Sequence, residues 1–333
     1  MSLMTRLRTE IERLRRRSAA QLLGDYTAPA LEHTQELLEE LDGAVEPGTA
    51  GEWATFTSQI SAALRLQGAD QFLRLAPIAK TLHSRQRSAG RRYLAYLLAS
   101  SRFAPSIHRA LTESPIGKPL VNPYYPLSSP LLVQHAYHLV RLLEHTDFEL
   151  AGARRIVEFG GGYGSFYRLL RNLGYRERYL ICDLPVMCAL QRFYLRNLFP
   201  SDPGSRPPTN LQWLSSEVGA GLEREMSTDL RPSLFIATWS LSETPPAVRS
   251  EVAPVLGRFD YILCAYQRAF ASYDNISYFA SLEQALPQFS WHHAECPVFR
   301  NNFYLIGRKS TAAASPEPRA AGDPAVTAPL PLT

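Results

Sequence analysis

Gly160, Gly162 and Gly164 stand at alternate positions straight after a short apolar run, Ile156-Val157-Glu158-Phe159, that holds one acidic residue. An amphipathic pattern follows at once in Phe166, Leu169, Leu170 and Leu173. A strand that turns into a helix through glycines lets backbone approach a ligand without Cβ obstruction. It also aims free helix N–H groups at polar ligand atoms. A second apolar run, Arg178 to Pro185, holds Asp183, about 20 residues on, where doubly wound α/β folds place an acidic side chain that accepts hydrogen bonds from ribose hydroxyls. Together the two motifs point to a nucleoside-containing cofactor.

The glycine spacing narrows the choice. A dinucleotide fingerprint would require glycine at position 165, and the chain has Ser165. The pattern present, acidic-x-Gly-x-Gly-x-Gly from Glu158 to Gly164, resembles motif I of the class I S-adenosylmethionine methyltransferases. That cofactor has a carboxylate for the glycine loop and an ammonium that suits Glu158. On this reading Glu158, Gly160, Gly161, Gly162, Gly164, Asp183 and Leu184 bind the cofactor. Ser215 and Ser216, after the third predicted strand, are placed beside the adenine, and Thr238 closes the fourth strand on the cofactor side.

Residues 113–309 as a whole resemble the bacterial sugar O-methyltransferase family. The likeness rests on Val157-Glu-Phe-Gly-Gly-Gly-Tyr-Gly164, Ile181-Cys-Asp-Leu-Pro185, Phe193-Tyr-Leu195, Phe235-Ile-Ala-Thr-Trp-Ser-Leu-Ser-Glu243 and Arg300-Asn-Asn302. Around Ser240 the chain departs from the family's usual pattern, with Ala237-Thr238-Trp239 before the serine and Thr244 after Glu243. The resemblance implies methyl transfer from S-adenosylmethionine to a sugar or glycosylated small molecule, leaving S-adenosylhomocysteine. N- or C-methylation of a small scaffold, or a non-catalytic cofactor-binding scaffold, stay open as alternatives.

Methyl transfer from a sulfonium is an in-line displacement, so the protein must align the acceptor at about 3–3.5 Å and exclude water. A hydroxyl acceptor must also lose its proton, and a general base contributes roughly 10²–10⁴-fold. Glu243, beyond the fourth strand, is the first candidate for base or orienting group, and a helix-start carboxylate is the alternative reading. His135 is the second candidate. It shares a helix face with His138, three residues on, although surface or partner-helix histidines are the commoner meaning of such a pair. Trp239, Ser240, Tyr266 and Asn301 are placed with the substrate, and Tyr163 and Phe166 among the aromatic walls. His292 and His293 begin a predicted edge strand, so one faces inward and one outward. No His/Asp/Glu set has divalent-metal spacing, so no metal is expected.

These residues need a scaffold, and the pattern supplies one. From residue 153 onward strands are predicted at 155–159, 178–183, 211–214, 233–238, 260–266, 291–297 and 302–308. Helices fall between them at 164–173, 185–198, 246–257 and 275–286. Apolar strands alternating with helices mean a parallel sheet covered on both faces. The last two strands form an antiparallel edge hairpin. The expected fold is therefore α/β, a Rossmann-like seven-stranded class I methyltransferase sheet with a helical N-terminal region. Residues 1–150 form that region, a lid or oligomerisation element that would support a homodimer. Residues 151–309 form the core, and residues 310–333, with five prolines, seven alanines and no aromatic, form a disordered tail.

Composition excludes several classes. The 333 residues carry a net charge of +4, and residues 1–24 hold six arginines against two glutamates, so residues 25–333 are neutral. That argues against a nucleic-acid substrate, which needs a broad basic groove. No apolar run approaches the roughly 20 residues of a membrane span, and no secretory signal is visible. The four cysteines, Cys182, Cys188, Cys264 and Cys296, lack metal-ligand spacing. A reduced, cytoplasmic protein acting on a small molecule, with no nucleic-acid or membrane partner, is expected.

Overall fold

The computed structural model describes residues 32–44, 52–82, 87–199 and 210–310. The basic segment 1–24 and the tail beyond residue 310 lie outside them. Six helices precede the sheet among the described residues: α1 (Thr34–Gly43), α2 (Glu52–Gln67), α3 (Ala76–Leu82), α4 (Arg87–Ala99), α5 (Ile107–Leu111) and α6 (Pro130–His145). The start of α6 is set locally. Ser129 Oγ accepts the Leu132 N–H at 3.1 Å, and Pro130 occupies the first helical position, where no N–H is needed.

The chain then alternates β1 (Arg155–Phe159), α7 (Ser165–Asn172), β2 (Arg178–Cys182), α8 (Pro185–Leu198), β3 (Leu211–Leu214), α9 (Val218–Glu225) and β4 (Ser233–Thr238). After these come α10 (Ser240–Glu243), α11 (Pro246–Leu256), β5 (Tyr261–Gln267), a small hairpin of β6 (Ala269–Phe270) and β7 (Tyr273–Asp274), α12 (Asn275–Ala285), β8 (Phe289–Glu295) and β9 (Asn302–Lys309). Seven strands form one sheet in the order β3-β2-β1-β4-β5-β9-β8. β1 to β5 run parallel, while β9 enters antiparallel between β5 and β8. The order reverses between β1 and β4, which opens a crevice at their carboxyl ends.

Strand alternation sorts the core into two layers. Ile156, Ile181, Leu234, Ile236, Leu263 and Ala265 face one side, where they share a continuous core with Leu37, Leu41, Phe72 and Leu132 of the N-terminal region. Val157, Phe235, Ala237, Ile262, Cys264 and Tyr266 face the other. The boundary drawn at residue 150 therefore marks no break in packing. All four cysteines are buried and free.

Two differences from the expected elements have local causes. β8 ends at Glu295, two residues before the predicted limit, because Pro297 has no N–H to give a ladder. α9 was not anticipated, since Gly219 and Gly221 weaken its helical signal. Tertiary packing requires the second glycine: a Cβ on Gly221 would lie 2.5 Å from Leu214.

Candidate active site

β1 delivers the chain into the glycine loop, where Gly160, Gly162 and Gly164 adopt φ of 75°, 57° and 93°. The Gly160 N–H donates to Cys182 O at 2.7 Å, joining the loop to the end of β2. Glu158 lies buried beneath the loop and accepts the Tyr179 hydroxyl at 2.7 Å. Burial pushes its carboxyl up to about 8. The Tyr179 hydrogen bond opposes that shift and the Asp183 charge adds to it.

Asp183 follows β2, with its N–H donating to Leu214 O at 3.1 Å. Its Oδ1 accepts the Leu184 N–H at 2.8 Å and its Oδ2 accepts the Gln191 amide at 2.7 Å. Burial pushes the carboxyl up to about 7 against those hydrogen bonds. The same Gln191 Nε2 also donates to Gly162 O at 2.9 Å. One side chain of α8 thus holds both the glycine loop and Asp183. Sequence reasoning missed it, although a signal existed: glutamine interrupts the buried stripe Met187, Leu190, Tyr194.

Where the loop meets the end of β4 there is a cavity of about 200 Å³. Gly160, Gly161, Gly162 and Tyr163 form one part of its wall, and Thr238 and Trp239 another. Leu131, Gln134 and His135 of α6, Thr81 of α3 and Phe299 complete it. Two elements of the N-terminal region therefore roof the crevice. His135 is only 8% exposed, and its Nδ1 has no hydrogen-bond partner among the described residues. Burial pushes its pKa down to about 3, so the imidazole is neutral. This corrects the reading of the histidine pair as surface groups: His138 is buried too, and its Nδ1 is hydrogen-bonded to the Tyr304 hydroxyl at 2.6 Å. Phe166 packs behind, 5.2 Å from the His135 ring.

Trp239 carries the most unusual backbone here, with φ of 66°. A non-glycine residue in that region costs about 1–3 kcal/mol and is retained where its placement matters. Its Nε1 donates to Asn302 Oδ1 at 2.8 Å, and its ring meets His138 edge-on at 5.4 Å.

Other expected site residues lie elsewhere. Glu243 does not line the cavity; its Oε1 accepts from Gln267 at 3.1 Å and its carbonyl from the Trp53 indole at 3.1 Å. Ser240 donates its hydroxyl to Phe159 O and packs against Gly160. Tyr266 was expected to wall the crevice but faces the opposite layer, stacked on Phe279 at 3.9 Å and bonded to His293. The pleat is the reason, since Ala265 occupies the crevice-side position of β5. Asn301 sits exposed between β8 and β9, where its Oδ1 accepts from Arg268 at 3.3 Å, and Phe299 reaches the cavity instead. Leu184 and Ser215 are half-buried and Ser216 is exposed, all outside the cavity lining. His292 and His293 do face opposite ways: His292 stacks on His145 at 3.5 Å, while His293 meets Tyr266 and Glu283.

The sheet order and the glycine loop at its switch point define the class I methyltransferase fold. No protein-family model matches the chain, and no curated protein does. Among solved structures, a precorrin-6y C5,15-methyltransferase from Geobacter metallireducens is 13% identical, with 55% of this chain and 89% of that one aligned at a TM-score of 0.37. A SAM-dependent methyltransferase from Aquifex aeolicus is also 13% identical, over 52% of this chain and 89% of that one, at 0.36. The pyocyanin biosynthetic protein PhzM is 12% identical over 78% of this chain and 70% of that one, at 0.33.

Among the described residues no helix is long and apolar enough to cross a membrane, and no group of three or more His, Cys, Asp or Glu side chains could hold a metal ion.

Proposed function

We propose that the protein is an S-adenosylmethionine-dependent O-methyltransferase that acts on a small hydroxyl-bearing acceptor of the sugar or glycoside class. The observation that carries this reading is the junction of an acidic-x-Gly-x-Gly-x-Gly loop, an anchored Asp183 and a roofed cavity at the switch point of the sheet. The donor set fits the cofactor. Asp183 is held at the end of β2 by Leu184, Gln191 and the backbone N–H groups of Gly161 and Gly162, where a ribose would lie, and the Glu158 carboxyl sits beneath the loop.

The bound cofactor would supply an electrophilic methyl on a sulfonium. The chain does the rest. α3 and α6 border the crevice, where they would shield the reacting groups from water. Trp239 and Phe299 give the acceptor apolar walls. His135, held neutral, presents a lone pair to which an acceptor hydroxyl can donate, which would orient that oxygen for attack; with its pKa pushed down to about 3 the imidazole is a weak proton acceptor. The sugar class rests on the likeness of the motifs in residues 113–309 to the sugar O-methyltransferases.

Calorimetry with S-adenosylhomocysteine and NAD tests the cofactor. Binding of the first and not the second is expected, with Asp183→Ala weakening it by roughly 1.5–3 kcal/mol. Binding of NAD alone would overturn the assignment. Methylation assays on a panel of glycosides, amines and phenols then test the acceptor class.

A further inference from the structure

We propose that Gln191 is the positioning residue of the cofactor site, setting the distance between the glycine loop and Asp183; this rests on the S-adenosylmethionine reading above. Its Nε2 donates to Gly162 O at 2.9 Å and to Asp183 Oδ2 at 2.7 Å. Those acceptors belong to two segments separated in sequence by α7 and β2, which also meet through the Gly160 N–H on Cys182 O and the Gly161 and Gly162 N–H groups on Asp183. The two would meet opposite ends of one ligand. The amide orientation is set by chemistry. Reversed, it would press an oxygen against two oxygens. In the orientation present, Oε1 is buried with no hydrogen-bond partner among the described residues. A buried acceptor left unpaired is unfavourable, so the two donated bonds must outweigh it. Gln191 itself is fully buried, so it acts through Asp183 and Gly162 and does not touch the ligand.

The titratable groups facing the amide are Asp183 and, across Gly161, Glu158; Cys188 and Arg192 lie next to it on α8. A third carboxyl group, at position 191, would therefore meet two acids already pushed up by burial.

The experiment measures S-adenosylhomocysteine affinity of the full chain between pH 6 and 9 for wild type, Gln191→Met and Gln191→Glu. Gln191→Met is expected to bind roughly tenfold or more weakly, the scale of losing a hydrogen bond to a charged group. Gln191→Glu is expected to lose affinity as pH rises, because ionisation removes its donor and repels Asp183. A glutamine that merely stabilised the fold would lower the melting temperature and leave the pH profile of binding as in wild type. That profile in Gln191→Glu, or wild-type affinity in both variants, overturns the proposal. If Gln191→Met does not fold, the Gln191→Glu profile decides alone. A wild type that fails to bind S-adenosylhomocysteine overturns the cofactor reading instead, a distinct result.

Discussion

Gly160 and Ser240 pack so closely that a Cβ built on the glycine would lie 2.1 Å from the serine Cβ. This contact joins the cofactor loop to the turn after β4, and the glycine also holds φ of 75°. Gly160→Ala is expected to cost about 2–4 kcal/mol, from left-handed strain plus overpacking, and to abolish S-adenosylhomocysteine binding. Adding Ser240→Gly relieves the clash but not the strain, so about half the stability should return. Urea denaturation of the two single variants and the double variant measures this. Additive losses would show that the contact is not the cause.

Glu158 near 8 and Asp183 near 7 both sit above ordinary carboxylates. The folded protein holds these protons more tightly than the unfolded chain. Their contribution to stability is therefore fully present below about pH 4 and lost as pH rises to about 8. Glu158→Gln cannot ionise, so its melting temperature should rise relative to wild type as pH increases from 5 to 8. Cofactor affinity should run the other way over that window, because the ionised carboxylates accept the ligand's hydrogen bonds. A mutant-to-wild-type difference that does not vary with pH would contradict the raised Glu158.

His135 lines the cavity and Glu243 does not. His135→Ala is expected to lower kcat roughly tenfold, the scale of one lost hydrogen bond to the reacting hydroxyl, with S-adenosylhomocysteine affinity kept. Glu243→Gln should retain most activity. Single-turnover rates separate the two, and the opposite ranking would give the role of base or orienting group to Glu243.

Phe72 is fully buried and packs on Tyr163, Phe193 and Tyr194, so the N-terminal region reaches into the core beside the glycine loop. α1 and the residues just ahead of it are tied to α8 as well, through Arg192 to Glu40 at 2.6 Å and Asn197 to the Glu32 carbonyl at 2.9 Å. Phe72→Ala is expected to cost about 3–5 kcal/mol. Removing residues 1–110 should abolish cofactor binding together with turnover, which calorimetry and circular dichroism would register. A folded, cofactor-binding truncation would show that the sheet is independent of its helical cover.

Local signals determined much of this protein. β3 and β4 run from Leu211 to Leu214 and from Ser233 to Thr238 as their apolar runs indicate, and α8 follows Pro185 as a proline start requires. The glycine loop and Asp183 were legible too, because turn chemistry and an acid at a strand end are properties of a few neighbouring residues. Tertiary structure decided which side chains meet. His135 and Trp239 are 104 positions apart in the chain, and only the docking of α6 over β4 brings both to one cavity. Tyr266 lost its expected place to the pleat of β5, which no residue type announces. Gln191 gained its role because α8 packs back on the loop that precedes β2. Periodicity records which face of an element is buried, while the partner that covers it is set by the packing of distant segments.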